Sequence, residues 1–124
     1  FAFMTAVLFT SQLSAQTFDV QNNQSCAYEL SIVIAPIGTC NASFPATLVV
    51  APNSNASFTP PPGTWVAGVA ITEIFPTPMV GYVGVSNPAL GGKCAFFPSS
   101  ATGIGSCGST ATLFQGINTF LAIF

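Results

Sequence analysis

The amino-acid sequence predicts an all-β protein built from two packed antiparallel layers. Three observations support this. From Thr17 onward, no stretch of ten residues carries apolar positions at helical spacing without Pro or Gly intruding. Short β-branched and aromatic runs recur instead between clusters of Asn, Ser, Gly and Pro. The large side chains of Phe18, Tyr28, Phe58, Trp65, Phe114 and Phe120 exceed what a single sheet can hide, and a second layer is the economical remedy.

In chain order, Phe18 and Val20 alternate with Thr17, Asp19 and Gln21, and the run Asn22-Asn23-Gln24-Ser25 then turns. Ala27 to Ala35 reads as a half-buried strand, with Tyr28, Leu30, Ile32 and Ile34 on one face and Glu29, Ser31 and Val33 on the other. Pro36 to Pro45 is expected as loop, Ala46 to Ala51 as strand, and Ala56 to Thr59 as a short strand stopped by Pro60-Pro61-Pro62-Gly63. Thr64 to Ile74 is the longest extended run. It sets Trp65, Val69 and Ile71 on one face and Val66, Ala70 and Ile74 on the other, which suits a central strand. Met79 to Val85, Ala95 to Phe97, Thr110 to Phe114 and Asn118 to Phe124 bring the total to roughly eight strands, as in an immunoglobulin-like or jelly-roll-like sandwich. Trp65 follows Cys40 by 25 residues and precedes the next Cys by 29, so the Cys, Trp, Cys order of antibody domains is absent.

Residues 1–16 are expected to be a secretory signal peptide that lacks its charged start: the apolar run Phe1 to Phe9 leads into the small-residue region Thr10 to Gln16. The competing reading is a transmembrane anchor, but the run is too short to cross a bilayer, which takes roughly 20 residues; a mature apolar strand is what remains beside the signal peptide. The domain is then 17–124 and its location secreted or cell-surface. Cys26, Cys40, Cys94 and Cys107 agree with export, because disulfides persist in oxidising compartments. Pairing of Cys26 with Cys40 and Cys94 with Cys107 is favoured, since each pair brackets one apparent turn; the long-range pairings stay open. A zinc site is the alternative, but the gaps far exceed the usual C-x2-4-C spacing.

Charge limits the partners. Only 3% of residues are charged, Lys93 opposes Asp19, Glu29 and Glu73, and neither Arg nor His occurs. Such a chain has no basic patch for nucleic acid, anionic lipid or phosphorylated substrates. Without His, Ser/His/Asp and Cys/His arrangements cannot be assembled. A glycosidase pair would have to come from Asp19, Glu29 and Glu73, of which Asp19 and Glu29 fall on polar strand faces and Glu73 is expected at an exposed strand end. Lys93 follows Gly91-Gly92 in a turn, with neither a dyad partner nor a phosphate-loop pattern. Three acids without a D-x-D cluster make no calcium cage, and no cofactor is implied. The protein is expected to be no enzyme.

What the sequence does suggest is contact. A surface wetted by Ser, Thr, Asn and Gln lacks the charges that keep proteins apart and blunt sheet edges. Phe75, Met79, Phe96 and Phe97 fall in expected loops, where large apolar groups mark a contact surface. Tyr82, between Gly81 and Gly84, is the best candidate for an exposed platform on which a glycan could stack. The apolar C-terminus, Gly116 to Phe124, reads either as an ordinary closing strand or as an edge that adds to a neighbouring molecule. The expected function is a secreted structural, adhesive or self-assembling module; a small extracellular binding domain, with glycans as the ligand, is the alternative. The Pro60-Pro61-Pro62-Gly63-Thr64-Trp65 turn and strand, with the four Cys, resembles short secreted β-sandwich proteins of bacteria. That resemblance implies export and a sandwich without implying an activity.

Overall fold

A computed structural model describes residues 17–37, 39–41, 43–90 and 97–124. The expected signal peptide, residues 1–16, and the candidate contact residue Phe96 lie outside these. The described residues form nine strands and a single 3-10 turn, Pro88–Leu90, with no α-helix among them. The strands are β1 Phe18–Asn22, β2 Ala27–Pro36, β3 Ser43–Val50, β4 Ser54–Phe58, β5 Thr64–Phe75, β6 Val83–Ser86, β7 Ser100–Ile104, β8 Ser109–Gln115 and β9 Thr119–Ile123. They make a five-stranded sheet, ordered β4-β1-β9-β8-β7, and a four-stranded sheet, ordered β3-β2-β5-β6.

Both sheets feed one apolar core. Phe18, Val20, Ile104, Ala111, Leu113, Leu121 and Ile123 from the first meet Tyr28, Leu30, Ile32, Val69, Ile71 and Val85 from the second. In β1, β8 and β9, buried residues alternate strictly with more exposed ones, the period that a half-buried strand imposes. No helix of the described residues is long and apolar enough to cross a membrane, which leaves strands out of account.

Several expectations need correction. The sheets are not wholly antiparallel: β1 runs parallel to β9, Phe18 opposite Thr119 and Asn22 opposite Ile123. The first and last strands share no hairpin, so nothing forces them antiparallel. The C-terminal strand is therefore interior, held by β1 on one side and β8 on the other, and offers no edge to a neighbour. Phe97 lies outside any strand, while β7, of sequence SATGI, was not expected. Extended structure returns after the Pro76 turn only at Val83, and β3 begins at Ser43 and includes Pro45, which an edge strand tolerates.

The largest correction concerns β5. Pairing with β2 runs Val33 to Gly68 and then Ile34 to Val66, so Ala67 is an extra residue on β5. Such a bulge reverses the alternation beyond it. Val66 consequently joins Val69 and Ile71 in the main core, while Trp65 joins Ala67, Val33 and Ala35 in a small cluster on the other side of the sheet. Gly68 sits where the strands crowd; a Cβ there would lie 2.9 Å from the Val85 carbonyl oxygen.

Candidate functional site: a buried carboxylate and the loop it holds

A disulfide joins Cys26 to Cys107, with Cα atoms 6.2 Å apart. This overturns the local pairing of Cys26 with Cys40 and of Cys94 with Cys107: the bond instead ties the start of β2 to the β7–β8 connection in the other sheet. Cys40 is itself disulfide-bonded. Cys94 and Lys93 lie outside the described residues.

Beside that bond sits Glu73, fully buried rather than at an exposed strand end. The register places it opposite Tyr28, on the core face of β5 near its end. Its Oε1 accepts the Ser106 N–H at 2.9 Å and its Oε2 the Ser106 hydroxyl at 2.6 Å. Burial pushes the carboxyl up, but the Ser106 hydroxyl and the backbone N–H groups of Ser106, Cys107 and Thr77 outweigh it and hold it below its ordinary value. Gly105 makes room with a φ of +63°; a Cβ there would lie 2.3 Å from Oε1. The neighbouring Tyr28 hydroxyl bonds Ser109. Burial raises its pKa; the Ser109 bond opposes that and the Glu73 charge adds to it.

The chemistry of this cluster is structural. A general base must reach a substrate proton, and Glu73 is sealed from solvent with its oxygens engaged by protein donors. The Cys26 and Cys107 sulfurs and a Glu73 oxygen lie within 4.8 Å of one another, a metal-like spacing, but the two sulfurs are bonded to each other. What Glu73 does is fasten two connections. Its side chain takes donors from the β7–β8 connection and from Thr77, and its carbonyl accepts the Met79 N–H at 3.0 Å. Thr72 adds a bond from its hydroxyl to the Gly81 carbonyl at 3.0 Å.

The end of β5 and the connection so fastened, between β5 and β6, display the apolar residues. Phe75 is 58%, Val80 102% and Tyr82 59% exposed. Of the five expected contact residues, the structure keeps Phe75 and Tyr82 outside and turns Met79 inward against the core. Phe97 is half-buried over Gly84 and meets Tyr82 edge-on, with ring centroids 6.0 Å apart. Val80 stands out in no local pattern, a lone Val before Gly81, and with Met79 packed inward and Gly81 held by Thr72 it is left outside.

Gly84 is the floor beneath Phe97, since an added Cβ would stand 2.4 Å from the ring. Gly84→Ala is therefore expected to displace Phe97, break its contact with Tyr82 and cost about 1–3 kcal/mol, as overpacking does. Near-ultraviolet circular dichroism and urea denaturation check both effects; an unchanged spectrum and midpoint would contradict the packing described.

No protein-family model, curated protein or solved structure matches the chain.

Proposed function

We propose that the protein is a non-enzymatic, secreted contact module. On this reading it is an immunoglobulin-like or jelly-roll-like sandwich whose work is attachment to a second copy or to an extracellular surface. The observation that carries the reading is the exposed trio of Phe75, at the end of β5, and Val80 and Tyr82, on the connection that follows, which is pinned to the fold by Glu73, Met79 and Thr72. Held apolar residues form a defined contact surface, whereas a loose loop would spend entropy on binding. A buried disulfide beside them is compatible with an oxidising compartment.

Face contact is favoured over strand addition because the sheet edges are blunted. β3 carries Pro45, and β4 is short and polar, with Ser54, Asn55 and Ser57. On β6, the Ser86 N–H is taken by the Pro98 carbonyl at 2.8 Å. The β7 pairing with β8 is interrupted between Ala101 and Ile104.

Sedimentation velocity over a concentration series tests the proposal. The oxidised protein is expected to sediment faster as concentration rises, and the double variant Val80→Ser/Tyr82→Ser, changed only at exposed positions, to remain monomeric. A wild-type protein that stays monomeric throughout and adsorbs to no surface would sink the reading.

A further inference from the structure

We propose that the outer face of the five-stranded sheet binds a neutral saccharide over Phe120 and Asp19. The inference rests on the reading of the protein as a contact module, and it names a ligand class at a face distinct from the Phe75–Tyr82 connection.

The strand register builds this face. Ser57 of β4 stands opposite Asp19 of β1, Asp19 beside Phe120 of β9, and Phe120 opposite Phe114 of β8. The next outward row runs Asn55, Gln21, Ala122 and Thr112. Inward neighbours Phe18, Val20, Leu121 and Leu113 belong to the core, so the two rows point outward. Three strand gaps span about 14 Å. Between the β1, β4 and β9 contributions lies a depression of about 310 Å³, lined by Asp19, Gln21, Asn55, Ser57 and Phe120 together with Val20 and Ala56. That volume is at the lower end for small-ligand sites.

The lining matches what a sugar ring presents. One face of a pyranose is a plate of C–H groups, and the Phe120 and Phe114 rings, 6.3 Å apart and inclined by 35°, offer an apolar surface for it. The sugar's rim is a circle of hydroxyls, each both donor and acceptor. Asp19 accepts from Ser57 Oγ at 2.8 Å through Oδ1 and from Thr17 Oγ1 at 3.2 Å through Oδ2. The carboxylate is thereby oriented, and each oxygen keeps a lone pair for a ligand hydroxyl. Gln21 is steadied by donating from Nε2 to Asn23 Oδ1 at 3.3 Å, which leaves its Oε1 to accept. The exposed Asn55 amide both donates and accepts. Since the lining holds a carboxylate and no basic group, anionic sugars and nucleic acid are repelled and an uncharged saccharide is preferred.

The test is an NMR titration of the ¹⁵N-labelled oxidised protein with chitotetraose, cellotetraose, mannotetraose and laminaritetraose, and with tetragalacturonate as the charged comparator. At least one neutral tetrasaccharide is expected to shift the amides of Asp19, Gln21, Asn55 and Phe120. Its affinity should fall on the order of tenfold or more in Phe120→Ala and in the near-isosteric Asp19→Asn. Asn55→Ala, changed at an exposed position, should weaken binding with the fold intact. The proposal is overturned if none of the neutral probes binds, if tetragalacturonate binds best, if binding survives both Asn55→Ala and Phe120→Ala, or if it falls instead in Tyr82→Ser. Phe120→Ala abolishing self-association would show a second copy on this face and would equally overturn it. The sedimentation of Val80→Ser/Tyr82→Ser is measured without saccharide, so the contact reading and the saccharide reading fail separately.

Discussion

Removing the Cys26–Cys107 bond with Cys26→Ala/Cys107→Ala is expected to lower the unfolding free energy by about 2–5 kcal/mol, toward the upper end of that range. The reason is the length of chain the bond closes. A sequence separation of 81 restricts the unfolded chain far more than a turn-sized loop of about 15 residues, and the chain-entropy treatment gives about 4.5 kcal/mol for it. Alanine at both positions leaves no thiol of this pair to mispair with the disulfide that holds Cys40. Urea denaturation of the oxidised proteins measures the difference. An unchanged midpoint would mean that the bond contributes nothing to holding β2 against the β7–β8 connection.

Glu73→Ala is expected to cost about 2–4 kcal/mol. It removes the acceptor for the Ser106 hydroxyl and for three backbone N–H groups at once, and water can replace it only in part, from the exposed Ser106 and Thr77 sides. The loss should also loosen the β5–β6 connection and with it the display of Val80 and Tyr82. Glu73→Gln keeps the shape and one acceptor, so its cost is smaller, and it isolates the charge. Because the folded pKa is depressed, the unfolded chain takes up the proton more readily. The carboxylate's contribution is complete above the ordinary value of 4.5 and is lost as pH falls through the lower folded value. The stability gap between wild type and Glu73→Gln should therefore shrink between neutral pH and strongly acidic pH. A gap that stays constant over that interval would contradict an ionised, donor-held Glu73.

Local alternation made most strands legible. β2, β5 and β9 stand out because their apolar residues recur at a strand's period between turn residues, and the structure places all three in sheet interiors. β7 was not legible. Its residues are small or polar, and Gly103 takes a φ of +67°, so its pairing with β8 rather than its own pattern makes it a strand. The bulge at Ala67 is equally hidden, since a single extra residue reveals itself only through the partner strand, and plain alternation therefore puts Trp65 on the wrong face.

The site escaped the sequence for one physical reason: its contacts join distant residues. Glu73 looked like a solvated strand end because its donors at Ser106 and Cys107 come from the other sheet. The true partner of Cys26 was hidden in the same way. Asp19 and Phe120 become neighbours only through the parallel pairing of the first and last strands, which no local pattern announces. The contact reading, by contrast, draws on composition, because a surface with almost no charge needs no particular strand order to suggest association.

The most direct test of the contact reading is residue-resolved. Amide signals of the ¹⁵N-labelled oxidised protein would be followed as concentration is raised through the range in which sedimentation changes. Broadening and shifts centred on Phe75, Val80, Tyr82 and Phe97 are the expected result. Changes confined to the edge strands β3, β4 or β7, with the β5–β6 connection silent, would contradict it and establish strand addition instead.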